Sequence, residues 1–159
     1  MKQENVQILH AKFGKKVEID YFDKTDSRNH SIEDDEIVHP DLRKALMAFK
    51  DDVAEAYYSV SHSLSEYIVP NEVIVTEKDG TFFLTIKGKI DTSYEDEVSI
   101  SSGKIPMAAD PNDELVVKLN TIRTELWEYF WNEKNAQQKI PFEGEKKEEV
   151  EEENTILEN

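Results

Sequence analysis

The chain has 159 residues, 35 carboxylates, 19 lysines and arginines, and no cysteine, for a formal charge of −16. That length can bury one core, and the missing cysteines exclude disulfide scaffolds, thiol catalysis and cysteine-based zinc sites. A surface of this sign repels phosphate backbones and attracts basic proteins, so direct binding of double-stranded nucleic acid is not expected.

Val6 to Phe13 reads as a first strand and Lys16 to Phe22, alternating polar and apolar, as a second. Asp23 to Asn29 has turn composition, and His30 to Val38 is a third strand with Ile32 and Ile37 as its apolar residues. At His39-Pro40-Asp41 the period changes. Proline suits the first helical turn and Asp41 faces the positive end of the helix dipole. Leu42, Ala45, Leu46, Phe49, Val53, Ala56, Tyr57 and Val60 then keep helical spacing, which predicts one amphipathic helix over about 40–60.

Ser61 to Pro70 reads as a connector. Val73 to Thr76 and Phe82 to Ile90 flank Lys78-Asp79-Gly80, a hairpin signal, with Phe83, Thr85 and Lys87 on one face of the return strand and Phe82, Leu84 and Ile86 on the other. After a loop over Asp91 to Glu97, Val98 to Ile105 is a last strand. Asp110 is the expected N-cap of a second helix, with Pro111 at its first position, an apolar stripe of Leu115, Leu119, Ile122, Leu126, Tyr129 and Phe130, and an end near 134–138. The expected fold is α+β: an antiparallel sheet of five to six strands with two amphipathic helices on one face, a two-layer sandwich over residues 1–140.

Residues 141–159 read as a disordered acidic tail, too poor in apolar residues to offset the entropy of ordering. From Glu143 on they hold eight carboxylates against Lys146 and Lys147, a charge of −6, leaving −10 on residues 1–142. The tail residues that would meet a basic partner are Glu149, Glu151, Glu152 and Glu153, with an apolar tip at Ile156-Leu157. Trp127 and Trp131 lie one turn apart beside the apolar stripe. They either widen the buried face or form an exposed aromatic patch for a partner.

No stretch carries a recognisable catalytic or cofactor motif. Gly88-Lys89 and Gly103-Lys104 lack the Ser or Thr of a phosphate-binding loop, and no two histidines share zinc-protease spacing. Glu33-Asp34-Asp35-Glu36 with His39 is a cation candidate, but consecutive strand residues point to opposite faces, so a solvated sheet edge explains it. Pro40-Asp41 opens a nuclease pattern, yet Glu77 and Lys78 are adjacent and cannot meet at one metal. The loop Ser61-His62-Ser63 lacks a group to orient its histidine. No catalytic residue, metal ligand or cofactor is assigned, and the chain is expected not to be an enzyme.

His39-Pro40-Asp41-Leu42 followed by Ala45-Leu46 resembles the helix start of a loosely defined set of small bacteriophage proteins, in which it lies between two β segments. The likeness covers the element order over roughly residues 6–110 and, in residues, the helix start alone. It implies an early-region accessory role near DNA replication or recombination and carries over no site residue. The expected function is therefore a non-enzymatic phage accessory protein that binds another, basic protein. The alternatives are an anti-defence inhibitor that mimics DNA with carboxylates, and a single-stranded-DNA-binding protein with an acidic tail. The N-terminus lacks a secretory signal and no apolar run is long enough to cross a bilayer, so the expected location is the host cytoplasm, with no membrane partner.

Overall fold

The computed structural model describes residues 1–35, 38–56, 65–91, 97–132 and 134. Two units divide the chain, Met1–Glu125 and Leu126–Asn159. The fold is α+β. Strands β1 (Val6–Phe13), β2 (Val17–Asp23) and β3 (Arg28–Asp34) precede helices α1 (Pro40–Met47) and α2 (Lys50–Ala56). Strands β4 (Ile68–Lys78), β5 (Thr81–Ile90), β6 (Val98–Ser101) and β7 (Ile105–Pro106) follow, then helix α3 (Glu114–Trp131). The sheet is open and antiparallel in the order β3-β2-β1-β4-β5-β6, with β7 also paired to β5.

Period two does what it should. In β2, Val17, Ile19 and Tyr21 are buried while Glu18, Asp20 and Phe22 are half-buried. In β1 the register shifts between Ile8 and His10, so that Leu9 is set aside and Ala11 and Phe13 return to the core side opposite Ile19 and Val17. The β4–β5 turn has Asp79 and Gly80 at φ 54° and 79°, the paired left-handed residues that a two-residue hairpin needs. Leu84 and Ile86 of β5 are fully buried, as their assigned face requires.

Helices α1 and α2 pack on β4, and Leu42, Leu46, Phe49 and Val53 close over the sheet's buried face. Lys118 of α3 donates to Asp52 of α2 at 2.9 Å and to Glu114 at 2.9 Å, which sets the first turns of α3 beside α2. Burial alone would lower the Lys118 ammonium. The bonds to Asp52 and Glu114 outweigh it and hold its pKa above the ordinary lysine value.

Several boundaries differ from the sequence reading, each for a physical reason. The predicted single helix is bent: Phe49 N donates to the Leu46 carbonyl at 3.0 Å, a tightened turn that separates α1 from α2 and drives the Phe49 ring into the core. Tyr57 and Val60 lie outside the described residues. Strand β4 begins at Ile68, inside the predicted connector, because a register shift between Pro70 and Glu72 lets a proline sit within a strand.

Strand β3 starts at Arg28 and ends at Asp34, so Asn29 belongs to it rather than to the turn, and Val38 is buried outside it. Ile37 is not among the described residues. The predicted last strand is split by Gly103 at φ 69° into β6 and β7, while Ser102 Oγ accepts from Ile86 N at 2.9 Å at the break. Helix α3 is capped by Asp113, not Asp110. Asp113 Oδ1 accepts from Leu115 N at 3.1 Å and Val116 N at 3.4 Å, while Asp110 and Pro111 form the preceding turn, with Asp110 Oδ1 on Asn112 N at 2.9 Å. The continuous helix runs to Trp131 and Lys134 is again helical, while the rest of the expected end over 134–138 lies outside the described residues.

Candidate functional site

The face of the sheet turned away from the core is polar. Cross-strand register puts Glu33, Glu18, Lys12, Glu72 and Lys87 in one row and Ser31, Asp20, His10, Ile74 and Thr85 in the next. In the second row His10 joins two carboxylates. Its Nε2 lies 2.8 Å from Glu72 Oε1 and its Nδ1 lies 3.0 Å from Asp20 Oδ2, while Ser31 Oγ donates to Asp20 Oδ1 at 2.5 Å. This chain runs across β3, β2, β1 and β4. Its serine bonds the carboxylate and not the imidazole, so it presents no nucleophile to a base. What it does is tie four strands together on the face opposite the core.

The Ser31 hydroxyl first, and His10 second, hold the Asp20 carboxyl below the ordinary aspartate value. The Thr25 amide does the same for Asp23. Both groups have lowered folded-state pKa values, so their stabilisation is complete above the unfolded aspartate pKa of about 4 and is lost as pH falls through the folded values. The expected melting temperature is level from about pH 7 to pH 5 and drops below about pH 4, with a shallower acid limb in Asp20→Asn. Thermal melts across that range check it. An acid limb identical in the wild-type chain and in Asp20→Asn would contradict the assignment.

At the end of the β2–β3 hairpin, Asp23, Asp26 and His30 each offer one ligand atom, all within 4.8 Å of one another. Two carboxylates and an imidazole suit a divalent transition ion. The turn nevertheless accounts for these side chains by itself. His30 Nε2 meets Asp26 Oδ2 at 2.8 Å, Asp26 Oδ1 accepts from Arg28 N at 3.0 Å, and Asp23 Oδ1 accepts from Thr25 N at 2.7 Å. The His30 ring stacks on Tyr21 with centroids 5.3 Å apart. The cluster is legible in sequence as a carboxylate-rich hairpin turn followed by a histidine, with its two acids three residues apart and not consecutive.

Among the described residues of the acidic run, Glu33 and Asp35 meet at a lysine. Lys16 Nζ bridges Glu33 at 3.3 Å and Asp35 at 3.2 Å, and Asp35 first, then Glu33, raises the Lys16 pKa. His39 instead caps α1, its Nδ1 accepting from Asp41 N at 3.1 Å. Glu36 and the Ser61-His62-Ser63 loop lie outside the described residues.

Of the expected partner-binding residues, Trp127 and Trp131 are half-buried and stack on each other, with centroids 4.8 Å apart and planes at 20°. Phe130 tilts against Trp131 at 5.9 Å and meets Tyr129 edge-on at 4.9 Å, so the end of α3 carries a run of four aromatic residues in mutual contact. Glu149, Glu151, Glu152, Glu153, Ile156 and Leu157 lie outside the described residues.

The Met1–Glu125 unit holds 25 carboxylates against 15 lysines and arginines, a charge of −10. Asp51, Glu55, Glu77 and Asp79 are exposed and have no ion pair among the described residues. Among the described residues no helix is long and apolar enough to cross a membrane. Compared with protein-family models, curated proteins and solved structures, the chain gives no match.

Proposed function

We propose that this protein is a non-catalytic accessory factor that binds a basic protein through its carboxylate surface. The observation that carries the reading is the charge of −10 on the Met1–Glu125 unit, with exposed acids that no cation of the described residues neutralises. Such a field speeds encounter with a positively charged partner and suppresses encounter with nucleic acid. The setting in phage DNA replication or recombination, within the host cytoplasm, rests on the resemblance of the His39–Leu42 helix start. The same −10, present without the tail, favours a second reading in which the folded unit mimics DNA and occupies the basic groove of a DNA-binding enzyme.

Affinity capture from nuclease-treated lysate, with mass spectrometry, names the partner, and calorimetry from about 0.05 to 0.3 M salt then measures it. Affinity is expected to fall steeply with salt. In the full chain, replacing Glu149, Glu151, Glu152 and Glu153 by glutamine removes the partner if the tail docks it. Replacing Asp51 and Glu55 by their amides weakens it, with loss of competition against DNA, if the folded unit is a mimic. Tight binding of the purified protein to mixed-sequence oligonucleotides at about 0.15 M salt overturns both readings.

A further inference from the structure

Arg123 departs from the electrostatic pattern of the rest of its unit. It lies on α3, its Nε is fully buried, and that Nε has no hydrogen-bond partner among the described residues. Among the described residues its side chain has one polar contact, a marginal bond from Nη1 to Asn120 Oδ1 at 3.5 Å, and no carboxylate partner. Desolvation accordingly pulls its pKa below the ordinary arginine value. A half-buried guanidinium without a counter-ion among the described residues is still costly, and a unit with 25 carboxylates does not lack candidates to neutralise it.

Arg123 lines a cavity of about 790 Å³ at one end of the sheet, within the range of small-molecule sites. Its walls include Val6, Val75, Phe82, Met107 and Val116, from β1, β4, β5, the segment after β7, and α3. Phe82 is 40% exposed at this cavity, a large apolar ring left open to solvent. Met107 N donates to the Phe82 carbonyl at 2.9 Å, which fastens the 107–109 wall to β5. The cavity's second cation is Lys24, whose Nζ donates to the Glu4 carbonyl at 3.2 Å and has no carboxylate partner among the described residues.

We propose that this cavity binds a small amphipathic organic anion, its apolar body against Val75, Phe82 and Val116 and its carboxylate or phosphate head on the Arg123 guanidinium. The planar guanidinium fork fits either head in a two-bond geometry. The acidic exterior repels small mobile anions, so charge alone does not bring one in, and the apolar body supplies the remainder. This site is independent of the protein-binding reading above and stands or falls separately from it.

Isothermal calorimetry on the full chain tests it with decanoate, decyl phosphate, decanol and inorganic phosphate. Decanoate or decyl phosphate is expected to bind with a Kd of about 100 μM or tighter, at least about tenfold tighter than decanol, and inorganic phosphate is expected to give no heat. The tighter of the two anions identifies the head group. Arg123→Gln is expected to weaken that anion at least about tenfold while leaving decanol unchanged, and Arg123→Lys to recover part of the loss. Thermal melts verify folding. Val116→Trp, which fills the cavity from the same helix and keeps the arginine, is expected to abolish binding even if Arg123→Gln proves unstable. Equal affinity for decanol and the anions, an unchanged anion affinity in Arg123→Gln or in Val116→Trp, or no binding by either anion would overturn the proposal.

Discussion

Gly88→Ala is expected to destabilise the protein by about 2–4 kcal/mol and to lower its melting temperature by roughly 10 °C. Gly88 lies on β5 opposite Pro70, where the β4 register shifts between Pro70 and Glu72. A Cβ added there would stand 2.5 Å from the Val69 carbonyl oxygen and 2.9 Å from Pro70 Cα. Both are backbone atoms, so no side chain can rotate away, and the two strands would have to separate. The glycine is needed for close approach and not for an unusual φ. Gly14→Ala is the control: nothing lies within 4 Å of a Cβ at Gly14, and the effect should be near zero or slightly stabilising. Thermal or denaturant melts of both variants check the pair, and equal stability for Gly88→Ala and the wild-type chain would refute the close-approach argument.

Phe49→Ala is expected to cost about 3–5 kcal/mol. The ring is completely buried, and it sits where the backbone tightens between α1 and α2. Its carbonyl accepts from Val53 N at 3.1 Å, so the residue both fills the core and anchors the start of the second helical segment. Truncation leaves a cavity under the bend and removes the apolar reason for bending there. Val117→Ala, 48% exposed on α3, should stay within about 0.5 kcal/mol. Urea unfolding of the two variants measures the contrast, and a Phe49→Ala cost no larger than that of Val117→Ala would show that the ring does not carry the bend.

The fold was legible wherever the signal was local. Alternation along Val17–Asp23, the Asp79-Gly80 turn and the Leu119/Ile122 stripe each depend on residues a few positions apart, and each stands as expected. Some errors fall where a distant partner decides, and others where two local turns compete. Pro70 reads as a breaker until β5 supplies Gly88 opposite it. Asp110 is as good a cap as Asp113 until the turn Asp113 N to Asp110 O, at 3.1 Å, places the helix start three residues later.

The same holds for the functional features. Nothing near His10 in sequence announces Glu72, and nothing around Arg123 announces that Val6, Val75 and Phe82 enclose a space beside it. Lone histidines and lone arginines are common, and only their surroundings separate them from ordinary surface residues.

The sheet consists of two meanders, β1-β2-β3 and β4-β5-β6, stitched by one short seam of three registered pairs, His10↔Ile74, Ala11↔Val73 and Lys12↔Glu72. Each meander can assemble from its own neighbouring hairpins, but the seam must bring together positions as far apart as His10 and Glu72, 62 residues along the chain. Closing that long loop carries the larger entropy cost, and it is the step that sets how slowly such a topology can form. The His10–Glu72 bond therefore lies on the seam with the largest loop to close, where two half-sheets of local origin become a single surface.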